Sequence, residues 1–313
     1  MNRTNDRNSP GSIILAGGEG ERLRSLTERW LGHHKPKQYC TFVGRRSMFQ
    51  HTHDRADQIS VPERKLTVIG QNHKSEAHSQ LVTTNAGSVI PQPKNCDTAV
   101  GIFLALTHIR AQDPNATVII FPSDHFVYPE DRFIELAKTA AQAARQMEHR
   151  LFLLGALPDR PEPEYGWIEP GHDLAWINGH RVRAAKGFRE KPAPERCLQS
   201  MAGGALWNTL ILAARLETLW KMGWTCFPEV MRLFEAYGES IAASEGPSVL
   251  EAIFEVMPTR NFSTHLLERV PSQVAVVEMK GVLWCDWGRP DRILETLSHV
   301  GKRPAFSLAH ATG

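Results

Sequence analysis

Three glycines and three cations in the first forty residues have the types and spacing to hold a polyphosphate. Gly17, Gly18 and Gly20 follow the apolar run Ile13-Ile14-Leu15-Ala16, and the chain continues with Glu21 and Arg22. Glycine lets a backbone approach a ligand closely and turn consecutive N–H groups into one concavity, which suits phosphate oxygens. Arg22, with Lys35 and Lys37 in HHKPKQ, adds positive charge for the same ligand. The spacing is not the dinucleotide fingerprint, whose third glycine is missing, and no Gly-Lys-Ser/Thr makes it a Walker loop. A tight connection without a ligand is the alternative for such a turn. Two aspartates stand at similar places further on: Asp124 follows TVIIF, Pro122 and Ser123, and Asp286 follows a strand pattern in WCDWG. Two hard oxygen ligands meeting at one point are what Mg²⁺ requires when phosphates and water fill its other positions. Taken singly, each aspartate serves equally well as a turn residue or a helix cap.

The elements that must position these groups alternate along the first half of the chain. Apolar runs at 65–70, 88–90, 117–121 and 150–157 read as buried strands, and 47–59, 72–81, 98–110 and 129–145 have helical spacing, the third of these capped by Asp97 or Thr98. Such alternation predicts an α/β fold, an open and mostly parallel sheet with helices on both faces. Ligands then sit beyond the carboxyl ends of the strands, where the glycine turn and Asp124 both fall. The second half is less regular, with a Pro-rich loop at 158–164, a turn at 165–167, strands at 182–188 and 273–279, and a last helix ending near His299.

Composition narrows the classes. The 313 residues suffice for a substantial core, and 42% hydrophobic against 22% charged residues is ordinary for a globular protein. With 36 basic and 34 acidic side chains the net charge is +2, which argues against nucleic acid or an acidic membrane as partner. Five scattered cysteines without a C-x-x-C pair point to reduced thiols and a cytoplasmic setting. No stretch reaches the ~20 apolar residues that span a bilayer. The 14 histidines have no partners at zinc spacing and are expected on the surface or on helices.

The run LAGGEGERL with KPKQY at 35–39 resembles the L-A-G-G-x-G-x-R-L and P-K-Q-[FY] elements of sugar-1-phosphate nucleotidyltransferases, most of all the mannose-1-phosphate guanylyltransferases. The resemblance spans roughly 13–297 and implies the Rossmann-like nucleotide-diphospho-sugar transferase fold. It also implies one catalytic domain over 12–302 with a sugar-binding lobe, a flexible N-terminal tail at 1–11 and a C-terminal tail at 303–313. The implied reaction moves a nucleoside monophosphate from an NTP, with GTP the family's choice, to a sugar 1-phosphate such as mannose 1-phosphate, and releases pyrophosphate. The alternative is a catalytically weak, nucleotide-sugar-binding regulatory subunit of the same fold. Some relatives dimerise, so a homodimer stays open.

Residue by residue, the resemblance implies nucleotide binding by Leu15, Ala16, Gly17, Gly18, Gly20, Glu21, Arg22, Thr98, Ala99, Ser123 and Asp124. It implies Mg²⁺ on Asp124 and Asp286, in PSDH and W-x-D-x-G, and catalytic roles for Arg22, Lys37, Asp124, Lys191 and Asp286. Sugar contacts fall to Tyr165 and Gly166 in EPEYGWI, Glu190 and Lys191 in GFREKP, and Asn208 in LWNTL. Read without it, Glu190-Lys191 is a solvated charge pair and Trp207 a core residue. The chain departs from the pattern at Glu21, usually Thr, and at Thr209-Leu210, usually Ser-Gly. The base-recognition element E-P-x-G-R-N-T-A-P is PQPKNCDTAV here and keeps Pro93, Thr98 and Ala99.

Overall fold

The computed structural model describes residues 9–82, 84 and 86–311. Nine strands form one mixed sheet in the order β3-β2-β1-β4-β9-β6-β10-β8-β7. These strands are β1 (Gly11–Ala16), β2 (Lys65–Gly70), β3 (Ser88–Gln92), β4 (Thr117–Pro122), β6 (Leu151–Ala156), β7 (Trp167–Ile177), β8 (His180–Arg189), β9 (Leu206–Arg215) and β10 (Val274–Glu278). β3, β2, β1 and β4 pair in parallel, as do β6 and β10, and β9 enters antiparallel between β4 and β6. A second, two-stranded sheet joins β5 (Phe126–Tyr128) to β11 (Leu283–Cys285), with Cys285 opposite Phe126.

The period of two along each strand divides the core. Ile13, Val118 and Ile120 face one apolar layer, whereas Ile14, Ile119 and Phe121 face the other. The first layer is covered by α4 (Asp97–Gln112), with α7 (Leu216–Cys226), α8 (Pro228–Ser240) and α9 (Gly246–Val256). The second is covered by α2 (Met48–Asp57), α3 (Lys74–Leu81) and α5 (Glu130–Gln146). Two buried faces explain why these strands read as continuous apolar runs. A smaller cluster around Leu26, Phe42, Trp287 and Phe306 joins α1 (Arg24–Leu31) to α10 (Pro290–His299).

Local chemistry sets several boundaries. α2 starts at a capping box, with the Ser47 hydroxyl accepting from the Gln50 N–H and the Gln50 side chain accepting from the Ser47 N–H. The cap expected for α4 is absent. Asp97 takes φ +69, its carboxylate accepts from Asn261 and the Thr98 N–H, and the Thr98 hydroxyl accepts from the Phe262 N–H. Both side chains tie the helix start to the 261–263 segment. β7 begins inside the turn expected at 165–167, and its own pattern is interrupted by Pro170 and Gly171. The signal for it lies at its end, where Asn178 and Gly179, both at positive φ, make the tight hairpin into β8.

Residues 1–8 of the expected N-terminal tail lie outside the described residues. The stretch read as a C-terminal tail packs where it is described: Phe306 sits 5.5 Å from the Trp30 ring, the Ala305 N–H donates to Phe42, and α11 (Leu308–Ala311) follows. Among the described residues no helix is long and apolar enough to cross a membrane, and all five cysteines are free and buried.

His53, expected at a surface or helix position, is on α2 but fully buried, its ring against Phe49 at 4.7 Å. Burial, with Lys65 and Arg46 nearby, lowers its pKa from 6.5 to about 3, and burial alone lowers that of His108 to about 4. Below pH 6.5 the unfolded chain therefore takes up protons that the folded chain refuses, and stability falls as pH falls. Each histidine contributes up to about 1.4 kcal/mol per pH unit until its folded pKa is reached. Urea unfolding from pH 7.5 to 4.5 is expected to show this slope, and His53→Gln to flatten it; an unchanged slope in that variant contradicts the assignment.

Candidate active site

The glycine turn leaves the carboxyl end of β1 and is fixed from below by Gln38, whose amide donates to the carbonyls of Ala16 (3.1 Å) and Gly18 (2.7 Å). Tyr39 donates a further bond to Ala16. Gly20 has φ +68, and a Cβ there would stand 2.6 Å from the Lys37 nitrogen, so the turn closes on the KPKQY segment only with glycine at this position. Neither Gln38 nor Tyr39 was singled out from sequence, although both lie in the quoted motif.

A cleft of about 630 Å³ opens above this turn and above the ends of β1, β4 and β9. Its walls include Leu15, Ala16, Gly17, Gly18, Gly20, Arg22, Thr98, Ser123 and Asp124, together with Tyr165, Gly166, Glu190, Lys191, Asn208 and Asp286. Three predicted residues are not among its walls: Lys37, which is 4% exposed, Ala99 and Glu21. Ala99 is fully buried in the α4 layer, where its N–H donates to Arg260. The Glu21 carboxylate is held by Arg24 at 2.6 and 2.8 Å, so the unexpected charge is neutralised beside the turn rather than inside the cleft. Asn95, Asp97, Gln92 and Asn261 also line the cleft and were not predicted as site residues.

Asp124 and Asp286 converge through Lys37. The buried Lys37 ammonium lies 2.7 Å from Asp124 Oδ2 and donates to the main-chain oxygen of Asp286. Burial pushes the Asp124 carboxyl up, but Lys37 and His125 reverse that and leave it below its usual value. His125 stands behind the aspartate, 3.6 Å from Oδ1, and accepts from the Trp284 indole. Asp286 is more heavily held. Its Oδ1 accepts from the Tyr165 hydroxyl (2.7 Å), Arg292 (3.0 Å) and the Gly288 N–H (3.0 Å), and its Oδ2 accepts from Arg22 (2.9 Å). Burial raises this carboxyl, and Lys37, Arg22, Tyr165 and Arg292 together bring it far below the ordinary range. Arg292 was missed from sequence because nothing in its local pattern separates it from a solvated residue of α10. It is 3% exposed, pairs with Glu162 at 2.7 Å and Glu164 at 2.8 Å, and stacks 4.9 Å above the Tyr165 ring.

At the other end of the cleft, backbone bonds assemble residues distant in sequence. The Asn208 N–H donates to Gly166 and the Lys191 N–H to Tyr165. Glu190 Oε2 is buried without a hydrogen-bond partner among the described residues, and burial raises the carboxyl's pKa. A Cβ on Gly166 would stand 2.5 Å from that oxygen, so glycine keeps the space in front of the carboxylate open. A buried carboxylate oxygen left unsatisfied beside a polar cleft suits a ligand that brings hydroxyl donors. Trp207 stays in the core.

Leu210 replaces the glycine of the resembling pattern and still takes φ +55, with its N–H donating to Asn208 Oδ1. It falls where the β6–β9 register shifts, and it lines the cleft. A side chain in this conformation costs roughly 1–2 kcal/mol. In strands alanine normally exceeds glycine by about 0.5–1 kcal/mol. Here the order is expected to invert, Leu210→Gly unfolding at higher urea than Leu210→Ala; the usual order would refute the strain.

The family model for nucleotidyl transferases matches residues 11–303. The alginate biosynthesis protein AlgA of Pseudomonas aeruginosa is 28% identical over 285 residues, 88% of this chain and 56% of that protein. A mannose-1-phosphate guanylyltransferase of Klebsiella pneumoniae is 25% identical over 268 residues, 84% of this chain and 55% of that protein. The chain thus spans a little over half the length of these curated relatives. Among solved structures, a Thermus thermophilus protein described as a mannose-1-phosphate geranyltransferase superposes with TM-score 0.76 at 24% identity, over 91% of this chain and 78% of that one. A Helicobacter pylori protein described as a mannose-6-phosphate isomerase gives 0.69 at 19% identity, over 88% and 99%. These two likenesses establish the fold, a mixed and mostly parallel sheet with helices on both faces, as expected from the sequence.

Proposed function

Because the chain belongs to the nucleotidyl transferase family, we propose that it transfers a nucleoside monophosphate from an NTP to a sugar 1-phosphate. The names of its relatives favour GTP and mannose 1-phosphate. A phosphate oxygen of the sugar phosphate forms the new bond to the α-phosphorus, the bond from that phosphorus to the β-bridging oxygen breaks, and pyrophosphate leaves. The attacking oxygen is ionised at neutral pH, so no general base is needed. Catalysis reduces to aligning two polyanions and neutralising the charge that gathers between them.

The residues divide that work along the cleft. The amides around Gly17 to Arg22 and the Arg22 guanidinium take the leaving pyrophosphate, Lys37 and Lys191 steady the reacting phosphates, and Thr98 and Ser123 bound the nucleotide. Glu190, Asn208, Tyr165 and the space at Gly166 receive the sugar, Glu190 Oε2 accepting from its hydroxyls.

The donors fit Mg²⁺. Asp124 is open to the cleft, with its side chain 35% exposed, and among the described residues Asp286 Oδ2 has the half-exposed Arg22 as its hydrogen-bond partner. Among the described residues no third acidic, histidine or cysteine side chain joins them. Phosphate oxygens and water would complete a hard-cation shell. Asp124 and Asp286 would hold such an ion, and the chemistry it would supply is neutralisation of phosphate charge. The free cysteines support a cytoplasmic setting.

The observation that carries this reading is the meeting of Asp124, Asp286 and Lys37 beside the glycine turn, at a cleft that Glu190 also lines. Pyrophosphate release is the assay, with GTP, ATP, UTP, CTP and dTTP each set against mannose and glucose 1-phosphates in Mg²⁺. GTP with mannose 1-phosphate is expected to be turned over fastest. Nucleotide binding without pyrophosphate from any pair would instead favour a regulatory subunit of the same fold.

A further inference from the structure

The glycine turn carries a negative charge at its centre. Glu19 stands between Gly18 and Gly20, where the proposed reaction brings a triphosphate. Yet Glu19 is absent from the walls of the cleft. His73, just beyond β2, has its Nε2 3.1 Å from Glu19 Oε2. The His73 ring is 6% exposed and packs edge-on against Tyr39, with centroids 5.6 Å apart. Gly70 leaves room for it, because a Cβ there would stand 3.0 Å from His73 Nδ1.

A second imidazole holds the main chain of the same residue. His34, in HHKPKQ, places its Nε2 2.9 Å from the Glu19 carbonyl oxygen. A carboxylate and a carbonyl only accept, so both imidazoles carry a proton on Nε2 and donate it to Glu19. The Nδ1 atoms of His34 and His73 are buried without a hydrogen-bond partner among the described residues, which leaves Glu19 as the hydrogen-bond partner of both rings.

Three main-chain oxygens of the turn are thus taken up by side chains: that of Ala16 by Gln38 and Tyr39, that of Gly18 by Gln38, and that of Glu19 by His34. The peptide bonds of the turn are trans. In a planar trans peptide the N–H points opposite to the C=O. Holding these oxygens therefore fixes the directions of the Gly17, Glu19 and Gly20 N–H groups, as a turn that gathers phosphate oxygens on its amides requires.

We propose that His34 and His73 are positioning residues for the phosphates, both acting through Glu19: His34 orients the Gly20 amide by holding the Glu19 carbonyl, and His73 keeps the Glu19 carboxylate out of the space the phosphates occupy. Both carboxylates of the turn are then withdrawn, Glu19 by His73 and Glu21 by Arg24. The two pairs differ in what fixes them. Glu21 and Arg24 are exposed and screened by water, whereas core packing sets the place of His73 and hence of the carboxylate it holds. The inference rests on the proposed function for the nature of the ligand, so its test reads binding and turnover separately.

Inorganic pyrophosphate is titrated calorimetrically into the whole chain in metal-free buffer. His73→Ala is expected to weaken its binding about tenfold, since a released carboxylate then faces the phosphates. Glu19→Gln/His73→Ala is expected to return to within about twofold of the unsubstituted protein, because the charge that His73 restrains is gone. Damage to packing alone would weaken both variants equally, and that result overturns the assignment of His73. Glu19→Asp, at a side chain 42% exposed, makes the same test without opening a cavity. It keeps the charge but falls short of His73, and is expected to bind pyrophosphate more weakly than Glu19→Gln; equal binding by the two overturns the assignment as well. His34→Ala is expected to raise KM for the NTP about fivefold and to leave KM for the sugar 1-phosphate unchanged, the loss of one hydrogen bond to the turn. Equal rises in the two KM values overturn the assignment of His34. If the binding pattern is found while no substrate pair releases pyrophosphate, the proposed function fails and this inference stands. Turnover with pyrophosphate binding unaltered in His73→Ala has the opposite meaning, and an unsubstituted protein that binds no pyrophosphate overturns both.

Discussion

Replacing Asp124 with asparagine is expected to cut turnover about a hundredfold or more with the fold intact. Asparagine keeps the size and one acceptor oxygen but removes the charge that balances Lys37, whose ammonium lies 2.7 Å away. The variant leaves the Lys37 bond to the Asp286 main chain in place, so the packing survives. What it loses is an exposed anionic oxygen that would help hold a divalent ion, and charge stabilisation of this type is worth about 2.7–4 kcal/mol per group in a transition state. Pyrophosphate release measured against Mg²⁺ concentration, beside a circular dichroism spectrum, checks both halves. Turnover near that of the unsubstituted protein would remove Asp124 from the mechanism.

The second large effect is on stability. Arg292→Met is expected to cost about 3–5 kcal/mol, because it strands two buried carboxylates, Glu162 and Asp286, beside an apolar chain. Arg22 also pairs with Asp286, yet its side chain is 53% exposed, so Arg22→Met should cost under about 1 kcal/mol while impairing catalysis. The contrast assigns the two arginines different work on one carboxylate. Arg292 sets the position of Oδ1, and Arg22 occupies the oxygen that faces the cleft. Urea unfolding reads the difference directly. Adding Glu162→Gln to Arg292→Met should recover part of the loss, because one unpaired charge is then gone. Equal destabilisation by Arg22→Met and Arg292→Met would contradict this division.

Much of this protein is written in local pattern. Strands buried on both faces announce themselves as apolar runs, so β1, β2, β4 and β6 fall where 13–16, 65–70, 117–121 and 150–157 predict them. The glycine turn was legible for the same reason, since a strand that ends in glycines has few uses other than close approach. Asp124 and Asp286 were legible as the residues directly beyond strands. The resemblance of KPKQY, GFREKP and LWNTL to family elements carried the rest of the predicted cleft.

Other features depend on contacts between segments far apart in the chain, and no local window holds them. Residue type alone could not show that Glu21 turns to Arg24 and away from the cleft, that Ala99 is sealed beneath α4, or that Arg292 is buried against three carboxylates. The strain at Leu210 and the unpartnered oxygen of Glu190 likewise exist only once β7, β8 and β9 are assembled. Residue order dictates which side chains this protein carries to the ends of its strands, because burial on two faces imposes the strand pattern. Folding settles which of those charges are paired, buried or left free, because electrostatic environment is set by neighbours that the chain brings together only in the assembled molecule.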